Sequence, residues 1–245
     1  MEKSLNQSRT TGVVIPAYNE AKNLPHVLNT VCTVEWLQEI IVVDDGSTDA
    51  TFEAAQRFAE HDRRLAVVRL PENKGKAAAM LTGVQALHTD LIIFLDADLV
   101  GLKPVHLQQL ANLQKSGSCE MAIALFQIGR SFTNVSQRFI PQLSGQRCLW
   151  RLEAEQALIP SAADRYGVEV GLTIHARREH WLIRKTIWHG VTHHMAWRKR
   201  KMIPGLYSRL QMYRQIMVVL ARNRRSNRRR IAWLRPVRKI RLTLR

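Results

Sequence analysis

The sequence has few cysteines and no long hydrophobic run, and both features narrow the possible classes of protein. The three cysteines, Cys32, Cys119 and Cys148, are an odd number without metal-site spacing, so we expect the reduced thiols of a cytoplasmic protein. No run approaches the roughly 18 apolar residues of a membrane-spanning helix. The first twelve residues are polar, unlike a signal peptide, and we expect residues 1–10 to be flexible.

Acidic residues are absent after Glu179, whereas positive charge is concentrated there. Residues 180–245 contain 19 Lys and Arg, and the first 179 residues contain the other 18 together with all 20 acidic residues. The net charge of +17 is therefore carried by the C-terminal part of the chain. This asymmetry predicts a nearly neutral body over residues 11–195 and a basic tail over residues 196–245.

Apolar runs typical of strands alternate with helical patterns over the first hundred residues. The strand-like runs are TGVVIPA, LQEIIVV, LAVVRL and DLIIFL, and the helical patterns lie between them, the first from about Glu20 to Thr30. The order βαβαβαβ predicts an α/β fold with a mostly parallel sheet and helices on both faces. Ligands of such sheets bind at the carboxyl ends of the strands.

Two aspartates separated by one alanine, Asp96-Ala97-Asp98, follow the last of these runs. Carboxylates at positions i and i+2 of an extended chain point to the same side, where their like charges repel. A divalent cation such as Mg²⁺ or Mn²⁺ relieves that repulsion. The motif therefore predicts a metal site, with two solvated loop residues as the alternative.

Three further loops fall at the same edge of the predicted sheet: PAYNE (16–20), DDGSTD (44–49) and NKGKA (73–77). In the third loop, Gly75 permits close backbone approach at the start of a helix, and Lys74 and Lys76 flank it, which suits a phosphate. The GxxxxGK[ST] spacing of a P-loop is absent. The alternatives are surface lysines, a solvated turn at Asp45 and a favourable helix-terminal charge at Glu20.

In the order VIPAYNE, VVDDGSTD, NKGKAAA and FLDADL, these segments resemble the nucleotide-sugar-binding half of family 2 glycosyltransferases. The resemblance is close over residues 11–100 and looser to about residue 195. It implies a GT-A-like (Rossmann-like) domain at 11–195, with a donor half at 11–100 and an acceptor half at 101–195. The Gln-x-x-Arg-Trp motif of processive synthases has no counterpart in its usual context, so we do not expect polymer synthesis.

The same resemblance assigns roles to the four loops. It implies that a nucleoside pocket is lined by Pro16, Ala17, Tyr18 and Glu20, with Asp45 on the base or ribose. Lys74, Gly75 and Lys76 would contact the diphosphate of the donor, as would Asp96 and Ala97. Asp96 and Asp98 would bind the Mg²⁺ or Mn²⁺ that bridges this diphosphate, and Asp98 would thereby be catalytic.

The acceptor half resembles glucosyl-3-phosphoglycerate synthases in places. Glu169, in a Gly-Val-Glu-hydrophobic-Gly stretch, resembles their acidic residue near the acceptor and is the second catalytic candidate; a helix-terminal glutamate is the alternative. A histidine completes the metal shell in that group, so we expect His193, favoured over His194, to be a ligand unless both lie in a basic surface loop. Ser144, Gly145 and Arg147 are predicted to bind substrate from a loop, and either Arg147 or the basic tail would hold the phosphate of a small acceptor.

The tail carries an amphipathic pattern as well as charge. From Ile203, apolar residues recur at spacings of three and four, and Trp233 and Leu234 lie among arginines further on. A basic amphipathic helix with Trp suits an anionic membrane surface. We therefore expect a peripheral protein at the inner face of the membrane and a lipid-linked acceptor. A small phosphorylated acceptor such as a phosphoglycerate, nucleic-acid binding by the tail, and a solvated tail are the alternatives.

Overall fold

Four parallel strands form one side of the central sheet in the computed structural model, which describes residues 9–127, 145–161 and 167–194. The elements of this half are β1 (Thr11–Ala17), α1 (Leu24–Val31), β2 (Glu39–Asp44), α2 (Thr51–Ala59), β3 (Leu65–Arg69), α3 (Lys76–Ala86) and β4 (Leu91–Phe94). The strands pair in parallel in the order β3-β2-β1-β4. The predicted βαβαβαβ order is confirmed, although α1 begins later than Glu20, with Pro25 in its first turn.

The second half of the chain extends the sheet with one antiparallel insertion. Its elements are β5 (Leu99–Val100), α4 (Pro104–Lys115), β6 (Met121–Gln127), β7 (Arg147–Trp150), α5 (Arg151–Leu158), a 3₁₀ turn (Ile159–Ser161), α6 (Val168–Arg178), β8 (Ile183–His189) and β9 (Thr192–His193). The full order is β3-β2-β1-β4-β7-β6-β8, where β7 runs antiparallel to both neighbours and β6 pairs with β8 in parallel. The sheet is therefore mostly parallel, as predicted.

Helices cover both faces of this sheet. Val13 and Ile15 of β1 pack into one core with α1, α2 and α4, whereas Val14 faces a second core with α3, α5 and α6. Successive residues of a strand point to opposite faces, so a strand that is covered on both sides is apolar throughout. This explains the uninterrupted apolar runs of the sequence.

Two strand pairings bring the second half of the chain to the aspartates that follow β4. Phe94 of β4 pairs with Arg147 of β7, which brings the start of β7 close to Asp96. Leu99 of β5 pairs with His193 of β9. The predicted loop position of Arg147 is wrong: the residue is the first of β7 and its side chain is buried.

Among the described segments, no helix has the length and apolar character needed to cross a membrane.

Candidate functional site

A cavity of about 720 Å³ lies at the carboxyl ends of β1, β2 and β4. Most of the residues predicted for the donor site line it, namely Pro16, Ala17, Tyr18, Glu20, Asp45, Gly75, Lys76, Asp96, Ala97, Asp98 and His193. Asn73 and Ala79 also line the cavity and were not singled out from the sequence. Lys74 is exposed and does not belong to this lining, and Ser144 lies outside the described residues.

The loops after β1 and β2 are joined by hydrogen bonds. The backbone N–H of Asn19 donates to Ser47 Oγ at 2.9 Å, and the backbone N–H of Thr48 donates to Asn19 Oδ1 at 2.9 Å. The backbone N–H of Glu20 donates to Thr51 Oγ1 at 2.8 Å. Asn19 has a positive φ of 55°, a conformation that asparagine tolerates better than most residues. The two loops therefore form one unit, and Tyr18 lies at its surface with 44% of the residue exposed.

Asp45 holds the third loop. Its carboxylate accepts the backbone N–H groups of Lys74 at 2.8 Å and Gly75 at 2.9 Å, and the residue is buried. Gly75 has a φ of 93°, which L side chains rarely adopt, so glycine is required at this entry to α3. The contact of Asp45 with a base or ribose stays a prediction, while its support of the loop was not foreseen.

Asp96, Asp98 and His193 bring together one potential ligand atom each within 4.8 Å of one another. His193 Nδ1 lies 3.0 Å from Asp98 Oδ1 and 3.9 Å from Asp96 Oδ2. Carboxylate oxygens suit Mg²⁺ and Mn²⁺, and imidazole is a normal additional ligand of transition metals, so this donor set fits the predicted cation. His194 contributes a backbone N–H to the carbonyl of Asp98 at 2.8 Å, but its side chain is outside the cluster.

The electrostatic environment of the cluster favours positive charge. Burial lowers the pKa of His193, but the hydrogen bond to Asp98 and the charge of Asp96 outweigh it, so the pKa lies above its ordinary value. Burial raises the pKa of Glu20 at the same cavity, and the charge of Asp98 adds to that effect, so this pKa also lies above its ordinary value. Both pKa values are raised, as expected for groups close to several carboxylates.

Asp96 is fixed through both of its oxygens. Lys76 Nζ donates to Oδ1 at 2.6 Å and Gln146 Nε2 donates to Oδ2 at 2.6 Å. Burial raises the pKa of Asp96, but the charges of Lys76 and His193 bring it below its ordinary value, so the carboxylate stays ionised. A Cβ at Gly145 would lie only 2.5 Å from Asp96 Oδ2, so the absence of a side chain there admits the carboxylate. Gln146 was not predicted as a site residue from the sequence, where its position next to Gly145 was the only indication.

Glu169 lies in the first turn of α6, outside the lining of the cavity, and contacts the lining residue Lys76. Its Oε1 accepts a hydrogen bond from Lys76 Nζ at 2.6 Å. Burial lowers the pKa of Lys76, but the carboxylates of Asp96 and Glu169 outweigh it and raise the pKa above its ordinary value. Lys76 is therefore a permanently charged, ion-paired residue of the site and not an ordinary surface lysine.

Arg147, the first residue of β7, does not line the cavity. Its side chain is fully buried, with Nη1 donating to Thr173 Oγ1 at 3.0 Å and approaching Met121 Sδ at 3.5 Å. Burial lowers the pKa of Arg147 to about 10, which still leaves the guanidinium charged at neutral pH. Its contact with an acceptor phosphate stays a prediction, and the buried position does not favour it.

A mostly parallel sheet with loops, a cavity and a two-carboxylate, one-imidazole cluster at its carboxyl edge defines a GT-A-like fold with a candidate metal site. The sequence profile of glycosyl transferase family 2 matches residues 12–206, and the chain belongs to this family. The predicted family and fold are both confirmed.

Two relatives illustrate the sequence similarity. Over 110 residues the chain is 39% identical to undecaprenyl-phosphate 4-deoxy-4-formamido-L-arabinose transferase of Pseudomonas syringae pv. syringae, covering 43% of this chain and 32% of the relative. Over 96 residues it is 35% identical to a dolichyl-phosphate beta-glucosyltransferase of Trichomonas vaginalis, covering 35% of this chain and 29% of the relative. The match thus spans about a third of the length of these relatives.

Solved structures extend the similarity to most of the chain. Glucosyl-3-phosphoglycerate synthase from Mycobacterium tuberculosis, in complex with Mn²⁺, uridine diphosphate and glucosyl-3-phosphoglycerate, superposes with a TM-score of 0.66 at 23% identity. The superposition covers 88% of this chain and 80% of the synthase. The same synthase with Mg²⁺ and uridine diphosphate gives a TM-score of 0.65 at 23% identity, over 88% of this chain and 79% of that one. At this identity the likeness shows the fold.

Proposed function

We propose that the chain transfers a sugar from a nucleoside diphosphate sugar to a lipid-linked acceptor at a membrane surface, in a reaction that requires Mg²⁺ or Mn²⁺. The observation that carries the proposal is the cluster of Asp96, Asp98 and His193, which faces a cavity built by four loops of a family 2 glycosyltransferase. The volume of this cavity, about 720 Å³, is within the range of pockets that bind small-molecule ligands.

The donor is held by the loops after β1, β2 and β3. Tyr18 offers an exposed aromatic face to the nucleoside, beside the backbone of Pro16 and Ala17. Asp45 keeps the segment at Gly75 in place, where the start of α3 presents backbone N–H groups that attract the diphosphate. These contacts orient the donor before any bond is broken.

Asp96, Asp98 and His193 would hold the cation. When bound, the divalent cation stabilises the negative charge that develops on the departing nucleoside diphosphate. Gln146 and Lys76 fix the orientation of Asp96, which matters because metal ligands tolerate only small displacements. Site-directed loss of Asp98 should therefore abolish metal-dependent turnover.

In the transfer step, the acceptor oxygen forms a bond to the anomeric carbon while the bond from that carbon to the diphosphate oxygen breaks. A phosphate acceptor needs no proton transfer, whereas a hydroxyl acceptor must lose its proton or share it in a hydrogen bond. We assign that task to Glu169, which is not part of the cavity lining but whose carboxylate contacts the lining residue Lys76.

Two observations bear on the acceptor. The relatives named above carry polyprenyl phosphates in their names, which supports a lipid-linked acceptor. The Gly-Val-Glu stretch at residues 167–169 resembles the phosphoglycerate-linked group, and a synthase of that group shares the fold over 88% of this chain, so a small phosphorylated acceptor is the second candidate.

A donor screen tests the proposal. Purified protein is incubated with Mn²⁺ and a panel of nucleotide sugars, and release of free nucleoside diphosphate is measured with undecaprenyl phosphate, dolichyl phosphate or 3-phosphoglycerate as acceptor. Acceptor-dependent release is expected with a polyprenyl phosphate, and release with 3-phosphoglycerate alone favours the second candidate. Unchanged turnover of Asp98→Ala in excess EDTA contradicts the metal assignment.

Membrane attachment is assigned to residues 196–245, which lie outside the described residues. Their basic, amphipathic sequence supports binding to an anionic bilayer. Truncation after residue 202 should release the protein from anionic liposomes, and replacement of Trp233 and Leu234 by serine should weaken sedimentation with little change in charge. If the serine variant sediments like wild type while the full chain shifts duplex DNA at low salt, a nucleic-acid tail is the better account.

A further inference from the structure

Lys76 joins two carboxylates that come from distant parts of the chain. Its ammonium lies 2.6 Å from Asp96 Oδ1, which follows β4, and 2.6 Å from Glu169 Oε1, at the start of α6. The three residues are separated by 20 and 93 positions in sequence. One third of the Lys76 side chain is exposed, and the residue lines the cavity.

Each end of this bridge is supported separately from β7 and the residue before it. Gln146 donates to the other oxygen of Asp96 at 2.6 Å. Arg147 donates to Thr173 Oγ1, and Thr173 in turn donates to the backbone carbonyl of Glu169 at 2.8 Å. Asp96 and the first turn of α6 are thus both fixed to the same end of one strand, and Lys76 spans the gap between them.

A cation at the metal cluster and the ammonium of Lys76 share one carboxylate. Asp96 is a candidate metal ligand and also a partner of Lys76, so the two positive charges compete for it. Glu169 compensates part of the ammonium charge from the other side. The strength of the competition therefore depends on a residue that is not itself in the metal cluster.

We propose that Lys76 is a positioning residue that couples Glu169 to the metal site, so that the carboxylate of Glu169 sets the affinity of Asp96, Asp98 and His193 for the cation. The proposal deepens the proposed function and rests on its metal site. Replacement of Glu169 should change the affinity for the cation in two ways. One is direct, through the lost negative charge, and the other is indirect, through Lys76. Metal affinity and the acceptor side of the cavity are then linked.

A double-mutant cycle on Mn²⁺ binding tests this coupling without any donor or acceptor. Dissociation constants for Mn²⁺ are measured by electron paramagnetic resonance for wild type, Lys76→Met, Glu169→Gln and the double variant. We expect Glu169→Gln to weaken binding more when Lys76 is present than in the Lys76→Met background, with a ratio of at least about threefold. The direct loss of the Glu169 charge occurs in both backgrounds and cancels in the cycle.

Lys74→Met is the matched control, because it removes the same charge from an exposed lysine two residues earlier. Its cycle with Glu169→Gln should be additive. Lys76→Gln, a second neutral variant, keeps hydrogen-bonding capacity and serves if thermal melts show that Lys76→Met does not fold; it should give the same ratio. An additive cycle at position 76, or an equal coupling at position 74, overturns the proposal.

Asp98→Asn separates this outcome from a failure of the metal site itself. It should weaken Mn²⁺ binding at least about tenfold, since the cluster loses a charged ligand. If Asp98→Asn binds Mn²⁺ like wild type, the metal site and the proposed function fail together. If Asp98→Asn loses affinity while the cycle is additive, only the coupling through Lys76 is wrong.

Discussion

Replacement of Gly145 by alanine perturbs the metal site at one defined point. The new Cβ would lie 2.5 Å from Asp96 Oδ2 and 2.6 Å from Oδ1, whereas ordinary contacts begin at 3.4 Å. The backbone of Gly145 does not have the positive φ that only glycine readily adopts, so steric contact with Asp96 is the main consequence. The carboxylate must retreat to make room for the methyl group.

The size of that retreat sets the expected loss of affinity. The shortfall from ordinary contact is nearly 1 Å, whereas metal–ligand distances hold to within about 0.2 Å. Asp96 is also anchored at 2.6 Å by both Lys76 and Gln146, so it cannot follow the cation freely. We expect Mn²⁺ affinity to fall about 10- to 100-fold, or about 1.4 to 2.7 kcal/mol.

Isothermal titration with Mn²⁺ measures this loss directly. Gly117→Ala is the control, since Gly117 has a positive φ of 67° and no neighbour within 4 Å of an added Cβ. Its backbone strain lowers stability by about 1–2 kcal/mol and should leave Mn²⁺ affinity unchanged. If Gly145→Ala binds Mn²⁺ like wild type while its fold is intact, Asp96 either yields without cost or is not a ligand.

Three further predictions concern single side chains. His193→Ala should weaken Mn²⁺ binding at least about tenfold whereas His194→Ala should not, because only the first ring joins the cluster; equal losses in titrations contradict this choice. Glu169→Gln should lower kcat by about 100-fold, with nucleoside diphosphate affinity nearly intact once Mn²⁺ is raised to saturation, and lost affinity at saturating Mn²⁺ together with unfolding would indicate a purely structural glutamate. Partial burial raises the pKa of Cys32 to about 11, so native Cys32 should react with iodoacetamide at pH 8 on the order of 100-fold more slowly than in urea and accelerate as pH rises towards 11; equal rates refute the raised pKa.

The donor half could be predicted from local sequence because each strand is a continuous apolar run that ends in a polar loop. Parallel strands with short connections leave their carboxyl ends at one edge, which places Asp45 and Asp96 near each other without further information. The late start of α1 was not apparent, because the turn at residues 20–23 is stabilised by contacts with the loop after β2.

The acceptor half was less predictable because its contacts are short and distant in sequence. Strands β5 and β9 have two residues each, so the pairing that selects His193 over His194 leaves no periodic pattern. Arg147 contradicts the rule that charged residues avoid the core, and a four-residue strand beginning with arginine reads as a loop. The Lys76 bridge depends on a tertiary contact with α6 that no local motif encodes.

The charges of the site explain how a buried arginine is tolerated beside it. The site contains three carboxylates, those of Asp96, Asp98 and Glu169, and Lys76 and Arg147 offset their charge only in part. Burial disfavours the charged guanidinium of Arg147, whereas the negative charges of Glu169 and Asp96 favour it. Glu20 and Asp45 add carboxylates to the same cavity.

A diphosphate approaching this excess of negative charge is repelled unless a divalent cation accompanies it. Donor binding should then depend on the cation, and every contact that orients Asp96 acts on the donor through the metal. Measurements of metal affinity therefore report the roles of Gly145, Gln146 and Lys76 independently of the transfer step.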